Sequence, residues 1–207
     1  MRDFIDKSVL LWDFDGVILD SMPIREYGFK KVLEKYPNNE VEELLDFHEE
    51  NAGLSRYVKF RYFFKEIRNE ALSEEKLSRL TDSYSEIMRE KLCLRKNLIS
   101  ETINYIKKNR HNYTMHIVSG SDENELSYLC NQLSISQYFK SIEGSPTPKI
   151  ELVRNLIEKF NYTPKELCLI GDSKNDLEAA ESNKIDFFGY NNKSLMDKGK
   201  NYIISFP

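Results

Sequence analysis

The 207-residue sequence has little glycine and proline, few cysteines and no long apolar run. With only eight glycines and no repeat, glycine-rich linkers and repeat architectures are excluded. Cys93, Cys130 and Cys168 are odd in number and lack CxxC spacing, so neither a disulfide framework nor a zinc knuckle is expected and a reducing cytoplasm is the predicted location. The apolar run Val9 to Trp12 is too short for a signal peptide or a membrane span, and no later run approaches that length.

Basic residues are also too few to favour a nucleic-acid partner, because 30 Lys and Arg stand against 34 Asp and Glu and give a net charge of −4. Apolar residues, in contrast, are plentiful at 40%, with 12 Tyr, 12 Phe and one Trp. This content supports a packed core and excludes wholesale disorder. The length suits one domain, or one domain with an inserted subdomain.

The periodicity of apolar residues divides the chain into three parts. A buried-strand pattern at 8–12 comes first, followed by about 70 residues with helical spacing and no strand pattern. The predicted helices of this region cover residues 23–36, 41–51 and 55–69, and a fourth starts at Ser73. From residue 101 onward strands alternate with helices. The predicted strands cover 113–118, 141–144, 166–170 and 186–190, and the predicted helices cover 101–109, 123–133, 149–160 and 175–182. This alternation predicts an α/β fold with a Rossmann-like parallel sheet, into which the helical region is inserted after the first strand.

Polar clusters follow the predicted strands at their carboxyl ends, where open parallel sheets bind ligands. These clusters are Asp13 with Asp15, Ser119-Gly120-Ser121, Lys149 at a helix start, and Asp172 with Asp176. Carboxylates placed together repel one another unless a counter-charge is present. Mg²⁺ fits such a group best, because it takes oxygen ligands and leaves positions for water and a phosphate.

Four segments, Asp13 to Ser21, Ser119, Lys149 and Gly171 to Asp176, resemble the four motifs of the haloacid dehalogenase-like (HAD) phosphohydrolases. The helical insertion resembles the helical cap of the phosphoglycolate phosphatase and β-phosphoglucomutase branch. The resemblance implies a HAD core domain at 1–19 and 95–207 and a helical cap subdomain at 20–94, which we call the helical cap.

The resemblance also implies roles at each motif. Asp13 is the expected nucleophile, which forms an aspartyl-phosphate, and Asp15 is the expected general acid and base. The carboxylates of Asp13 and Asp172 and the backbone carbonyl of Asp15 are expected to bind Mg²⁺, with Asp176 in support.

Phosphate binding is expected from the Ser119 hydroxyl and the Gly120 backbone N–H, and Lys149 is expected to neutralise the phosphoryl charge. In many relatives the lysine precedes the first proline of a Lys-Pro-x-Pro stretch, a position that Ser145 holds here. We interpret Lys149 as that lysine, displaced to the helix start.

In the helical cap, Arg56 is the candidate substrate-binding residue, because it lies in a break between helices that could face the aspartate pair. Lys59 and Arg61 are expected to be solvated helix charges. Asp20 and Ser21 are expected to cap the first helix.

For the histidines, His48 and His111 are predicted to lie at the surface. His116, inside an apolar strand, is predicted to be a buried, hydrogen-bonded residue.

These residues predict a Mg²⁺-dependent phosphatase acting on a small phosphorylated metabolite. Candidate substrates are sugar, polyol and amino-alcohol phosphates, for example in surface-polysaccharide biosynthesis and other carbohydrate metabolism. No nucleic-acid or membrane partner is expected, and the protein is predicted to be a monomer or a weak homodimer.

Two alternatives remain. A phosphomutase of the β-phosphoglucomutase type would use the same Asp13 and Asp15. A phospho-acceptor regulatory domain of the receiver type has a parallel sheet and an aspartyl-phosphate, but it has no helical insertion after its first strand. A dehalogenase is disfavoured because the second aspartate suits a leaving alkoxide.

Overall fold

The computed structural model describes residues 4, 6–196 and 201–206. Its centre is a six-stranded parallel sheet with the strand order β3-β2-β1-β4-β5-β6. The strands are β1 (Val9–Trp12), β2 (Thr114–Asp122), β3 (Ser141–Ser145), β4 (Leu167–Gly171), β5 (Asp186–Tyr190) and β6 (Asn201–Ile203). The predicted fold class, an α/β Rossmann-like parallel sheet, is confirmed.

Helices cover both faces of this sheet. In β1, Val9 and Leu11 pack into one apolar cluster, while Leu10 and Trp12 pack into the other. Alternate residues of a strand point to opposite faces, so a strand buried on both sides must be apolar throughout. The helices that follow β1 outside the insertion are α5 (Ser100–Asn109), α6 (Glu123–Gln132), α7 (Lys149–Phe160) and α8 (Lys174–Ser182).

Four helices fill the predicted helical cap: α1 (Met22–Val32), α2 (Asn38–Glu50), α3 (Arg56–Tyr62) and α4 (Glu74–Leu92). A π-helical turn at Phe63–Ile67 continues α3. Their common core is aromatic, and the ring of Phe29 packs against those of Phe60 and Tyr84. Among the described residues of this region no strand occurs, as the helical spacing predicts.

The chain enters and leaves the helical cap at adjacent points. Leu19 and Leu98 form an antiparallel bridge. The Asp20 N–H donates to the Asn97 carbonyl at 2.8 Å, and the Ile99 N–H donates to the Ile18 carbonyl at 2.9 Å. These contacts support the proposed division into a core domain at 1–19 and 95–207 and a helical cap at 20–94. Residues 1–3, 5, 197–200 and 207 of that division lie outside the described residues.

The predicted element bounds differ from the structure mainly at two places. β2 continues four residues past the predicted end at Val118, because it pairs with β3 again at Asp122 after a register irregularity. β6 is absent from the prediction, since three residues are too short for a recognisable pattern. No helix among the described residues combines the length and apolar character needed to cross a membrane.

Candidate active site

The carboxyl edge of the sheet brings the predicted site residues together. Asp13 follows β1 directly, Ser119 lies within β2, and Asp172 follows β4. Lys149 is the first residue of α7, and Asp176 lies in the first turn of α8. The parallel order of the central strands places all five side chains at one edge of the sheet.

Lys149 lies at the centre of this group. Its Nζ is 2.8 Å from Asp13 Oδ1 and also donates to Asp176 Oδ1. The other Asp176 oxygen, Oδ2, accepts hydrogen bonds from the backbone N–H and the hydroxyl of Ser173, at 3.0 and 2.6 Å. All of these groups are buried. Asp176 therefore holds the ammonium group of Lys149 against Asp13, which is the position that the displaced-lysine interpretation requires.

Three carboxylates at this edge form a possible cation site. One oxygen from each of Asp13, Asp172 and Asp176 lies within 4.8 Å of the other two. Burial, then the charge of Asp176, raise the pKa of Asp13 to about 7 despite the opposing effect of Lys149. Burial and the charge of Asp13 raise the pKa of Asp172 well above its usual range.

The donor set thus fits a hard divalent cation, because it consists of oxygens that carry more negative charge than Lys149 balances. Asp176 is already engaged by Ser173 and Lys149, so Asp13 and Asp172 are the residues with carboxylate oxygens available for a metal ion. Gly16, at φ +74°, lies against the Asp172 carboxylate, and a Cβ there would collide with it. Asp13 and Asp172 are therefore the residues that could hold a divalent cation at this point.

Ser119 and Gly120 line the same cavity as Asp13. The Ser119 side chain is buried, and its Oγ accepts a hydrogen bond from the Ser121 N–H at 3.1 Å. Gly120 has a steric role, because a Cβ there would collide with the Gly53 carbonyl of the helical cap. Glycine at this position therefore lets the loop before α3 approach the sheet edge.

The Asp15 carboxylate is held by groups from two regions. Arg25 of α1 donates to it through Nε and Nη2, at 3.0 and 3.2 Å. The hydroxyls of Ser21 and Ser121 each donate at 2.5 Å. Burial alone would raise the pKa of Asp15, but the charge of Arg25 and the two hydroxyls outweigh it and lower the pKa to about 2.

The expectation that the Ser21 side chain caps α1 is wrong. Ser21 occupies the N-cap position, but its hydroxyl makes no capping bond and binds Asp15 instead. A charged acceptor gives a stronger hydrogen bond than a backbone N–H can offer this hydroxyl.

A buried glutamate joins the helical cap to the core. Glu125 of α6 accepts from Arg25 Nη1 through Oε1 and from Arg56 Nη1 through Oε2, both at 2.6 Å. Arg56 also donates to Ser85 at 2.7 Å, and its guanidinium lies 4.6 Å from the centre of the Tyr84 ring. Arg56 is the first residue of α3, directly after the predicted break, and it lines the same cavity as Asp13 and Asp15. Its role in substrate binding stays a prediction.

Two surface predictions in the helical cap are wrong. Lys59 is 3% exposed and lines the cavity, and His48 is also 3% exposed and lines the same cavity. Helices α2 and α3 pack so that Lys59 Nζ lies 2.8 Å from His48 Nδ1. The predictions for the neighbouring charges and histidines are confirmed: Arg61 and His111 are exposed.

The third histidine, His116, is buried as predicted. Its ring nitrogens contact the Ser141 hydroxyl at 2.8 Å and the Tyr162 hydroxyl at 3.1 Å.

Sequence reasoning missed Arg25 and Glu125 entirely and gave Ser121 no role at Asp15. In the sequence Arg25 resembles an ordinary helix residue, and its separation of 100 positions from Glu125 leaves no spacing signal. Glu125, three residues after the Asp122 N-cap, reads as an acidic residue that favours a helix start. Only the packing of the helical cap on the core, where α4 contacts both α1 and α6, brings these charges together.

With this geometry established, the comparisons with known proteins assign the family. The haloacid dehalogenase-like hydrolase family matches residues 10–190, and the chain belongs to it. The prediction of a hydrolase enzyme is thereby confirmed.

Relatives and solved structures agree with the predicted branch. A phosphoglycolate phosphatase of Aliivibrio fischeri is 22% identical over 98% of this chain and 93% of its own length. A phosphorylated carbohydrates phosphatase of Thermotoga maritima is 22% identical over 86% of this chain and 82% of its own length. The structure of a β-phosphoglucomutase from Clostridium difficile has a TM-score of 0.75 at 19% identity, and the match covers 96% of this chain and 91% of that one.

Proposed function

We propose that this chain is a Mg²⁺-dependent phosphatase that hydrolyses a small phosphorylated metabolite through an aspartyl-phosphate on Asp13. The observation that carries the proposal is the group formed by Asp13, Asp172, Asp176 and Lys149 at the sheet edge. It combines an anionic nucleophile, an ammonium group for the phosphoryl oxygens and an oxygen site for a cation. The names of the curated relatives, phosphoglycolate phosphatase and phosphorylated carbohydrates phosphatase, support the same reaction.

In the first half-reaction, an Asp13 oxygen attacks phosphorus while the bond from phosphorus to the ester oxygen breaks. Asp15 donates a proton to the departing alkoxide. The Arg25 contact keeps free Asp15 ionised, so Asp15 must take up a proton from water when the substrate binds. The negative charge of the nearby phosphoryl group favours this uptake, because it raises the proton affinity of the carboxylate. In the second half-reaction, Asp15 takes a proton from water, the hydroxide attacks phosphorus, and Asp13 is released with inorganic phosphate.

The remaining residues stabilise the transferring group. The Ser119 hydroxyl, the Gly120 N–H and Lys149 are proposed to bind the phosphoryl oxygens. At Asp13 and Asp172 the divalent cation would supply positive charge that offsets the repulsion between nucleophile and phosphate. Asp176 keeps Lys149 in place, and Arg56 is the proposed cap residue for the rest of the substrate. Sugar, polyol and amino-alcohol phosphates of the cytoplasm are the candidate substrates.

The test is hydrolysis of p-nitrophenyl phosphate with and without Mg²⁺ by the wild type and by Asp13→Asn. We expect the variant to lose at least about 10³-fold in kcat, because an amide is not an anionic nucleophile. Wild-type protein quenched with acid during turnover of p-nitrophenyl phosphate should carry the phosphoryl group on Asp13, as judged by peptide mass. Near-normal turnover by Asp13→Asn would overturn the proposal, and formation of a sugar bisphosphate without release of phosphate would favour the phosphomutase.

A further inference from the structure

A second cavity lies between the helical cap and the core, and we call it the cap–core cavity. The loop before α3 and the first turn of that helix form one side of it, and the core segment from Ser145 to Ile150 forms the other. Gly53, Leu54 and Gly120 line both this cavity and the one at Asp13, and they therefore form the wall between the two. Because its sides come from both parts of the chain, the cap–core cavity exists only while the helical cap rests on the core.

Two buried polar atoms at the cap–core cavity have no hydrogen bond. Ser145 is 1% exposed, and its Oγ has no partner among the described residues. The amide oxygen of Asn175, Oδ1, is also buried without a partner there. Both residues line the cavity. A buried polar atom without a hydrogen bond is costly in free energy, so two of them at one cavity indicate a molecule that enters and pairs with both.

Ser145 is also the point at which this chain differs from many of its relatives, which have a lysine at this position. In this chain the ammonium group comes from Lys149, whose Nζ reaches Asp13 and Asp176. Ser145 is therefore not required as a positive charge at Asp13, and its short side chain leaves room in the cavity. A serine hydroxyl can both donate and accept a hydrogen bond, whereas a lysine ammonium group only donates.

The remaining walls limit the chemistry of a ligand. Most of them are apolar, and they come from Leu54, Val58, Pro146, Pro148 and Ile150. Two charged residues also line the cavity: Lys149, which Asp13 and Asp176 already bind, and the exposed Glu178. An anion would meet the carboxylate of Glu178 and a cation would meet the ammonium group of Lys149. An uncharged ligand with an apolar skeleton therefore fits best.

The size of the cap–core cavity limits the length of the ligand. Its volume is about 130 Å³, whereas the cavity at Asp13 has about 30 Å³. The larger volume equals that of roughly four water molecules in the liquid, which corresponds to a ligand of about five non-hydrogen atoms.

We infer that the cap–core cavity binds a small uncharged diol. One hydroxyl pairs with Ser145 Oγ and the other donates to Asn175 Oδ1, while the carbon skeleton packs against the apolar walls. A ligand that contacts both the helical cap and the core stabilises their closed arrangement, because it binds that arrangement alone. The site is separate from the proposed reaction at Asp13.

The test compares three compounds with the same three-carbon skeleton and different charge: 1,2-propanediol, lactate and 1-amino-2-propanol. Each is titrated against wild type and observed by saturation-transfer difference NMR. We expect only 1,2-propanediol to give a saturable signal, with a Kd of about 1–10 mM for a ligand of about five non-hydrogen atoms. Equal or tighter binding of either charged compound would overturn the assignment of an uncharged ligand.

Two variants change the cavity in different ways. Val58→Phe should fill it, and it is expected to fold because Val58 is 43% exposed. Ser145→Ala removes the unpaired hydroxyl. We expect the Kd of 1,2-propanediol to rise by at least about tenfold in Val58→Phe and by about fivefold in Ser145→Ala. The matched control is Ile204→Phe, which adds a ring at a residue that is 82% exposed and outside the cavity, and it should bind as wild type does.

Thermal unfolding provides a second measurement. Saturating 1,2-propanediol should raise the unfolding midpoint of wild type and Ile204→Phe more than that of Val58→Phe, which corrects for the general stabilising effect of polyols. Asp13→Asn should bind the diol as wild type does, so the result does not depend on phosphatase activity. If the diol gives no saturable signal, or if Val58→Phe binds it as tightly as wild type, the cavity holds water only and the inference is wrong.

Discussion

Two groups of buried charges meet at the cavity, and they differ in how the chain builds them. The core group consists of Asp13, Lys149 and Asp176, which all follow strands of the sheet or start the next helix. The bridging group consists of Arg25 and Arg56 of the helical cap and Glu125 of the core. The core group is fixed relative to the sheet, whereas the bridging group exists only while the helical cap rests on α6. We therefore propose that the core group takes part in the reaction and that the bridging group holds the helical cap closed over the cavity.

Removal of the core ammonium group should give the largest effect. We expect Lys149→Met to lower kcat by roughly 10²–10³-fold on every phosphate ester, because the proposed role of Lys149 is to bind the phosphoryl group that all of them share. The matched control is Lys174→Met, since Lys174 is exposed at the start of α8. Steady-state kinetics on p-nitrophenyl phosphate and on phosphoglycolate checks this. If Lys149→Met lowered kcat on only one of the two esters, Lys149 would not act on the group that both esters share. The core group and the bridging group would then not differ in role as described.

Removal of the bridging charge should act mainly on stability and closure. Glu125→Gln leaves Arg25 and Arg56 without their shared carboxylate, and we expect the free energy of unfolding to fall by about 3 kcal/mol. Urea unfolding measures this, with Glu151→Gln, an exposed glutamate of α7, as the control.

In kinetics, Glu125→Gln should raise KM more than it lowers kcat, because a looser helical cap weakens binding but leaves the core group intact. If Glu125→Gln were as stable as wild type but had a kcat as low as that of Lys149→Met, the proposed difference between the core group and the bridging group would be wrong.

Residues at the sheet edge can be predicted from the sequence, whereas the buried charged residues of the helical cap cannot. Asp13, Asp172 and Lys149 are visible because local rules apply: a buried strand, a polar residue at its end, and a parallel order that collects strand ends. No local rule indicates the burial of Arg25, Lys59 and His48, since a charged residue on a helix is usually solvated. Their burial follows from how α1, α2 and α3 pack on one another and on the core, and helical spacing does not fix that packing.

The pH dependence of stability gives the smallest expected effect. Burial, then the charges of Lys59 and Arg25, lower the pKa of His48 to about 2. The unfolded chain binds a proton at this residue below about pH 6.5, while the folded protein does not. The contribution of His48 to stability is thus lost as pH falls, by about 1.4 kcal/mol per pH unit below pH 6.

The difference in unfolding free energy between wild type and His48→Phe, measured by urea titration from pH 7 to pH 4.5, should show this slope. A difference that does not change with pH would mean that His48 is protonated in the folded protein and that the helical cap is open to water at this point.

The contacts at the base of the helical cap have a consequence for how such a protein diversifies. The entering segment at Ile18 to Asp20 and the leaving segment at Asn97 to Ile99 are hydrogen-bonded to each other. The helices between them can therefore be replaced as one block without interrupting the sheet or moving Asp13, the proposed nucleophile. With the proposed roles, selectivity and reactivity belong to separable parts of one chain, so new substrates can be acquired by changing the cap helices while the sheet edge stays the same.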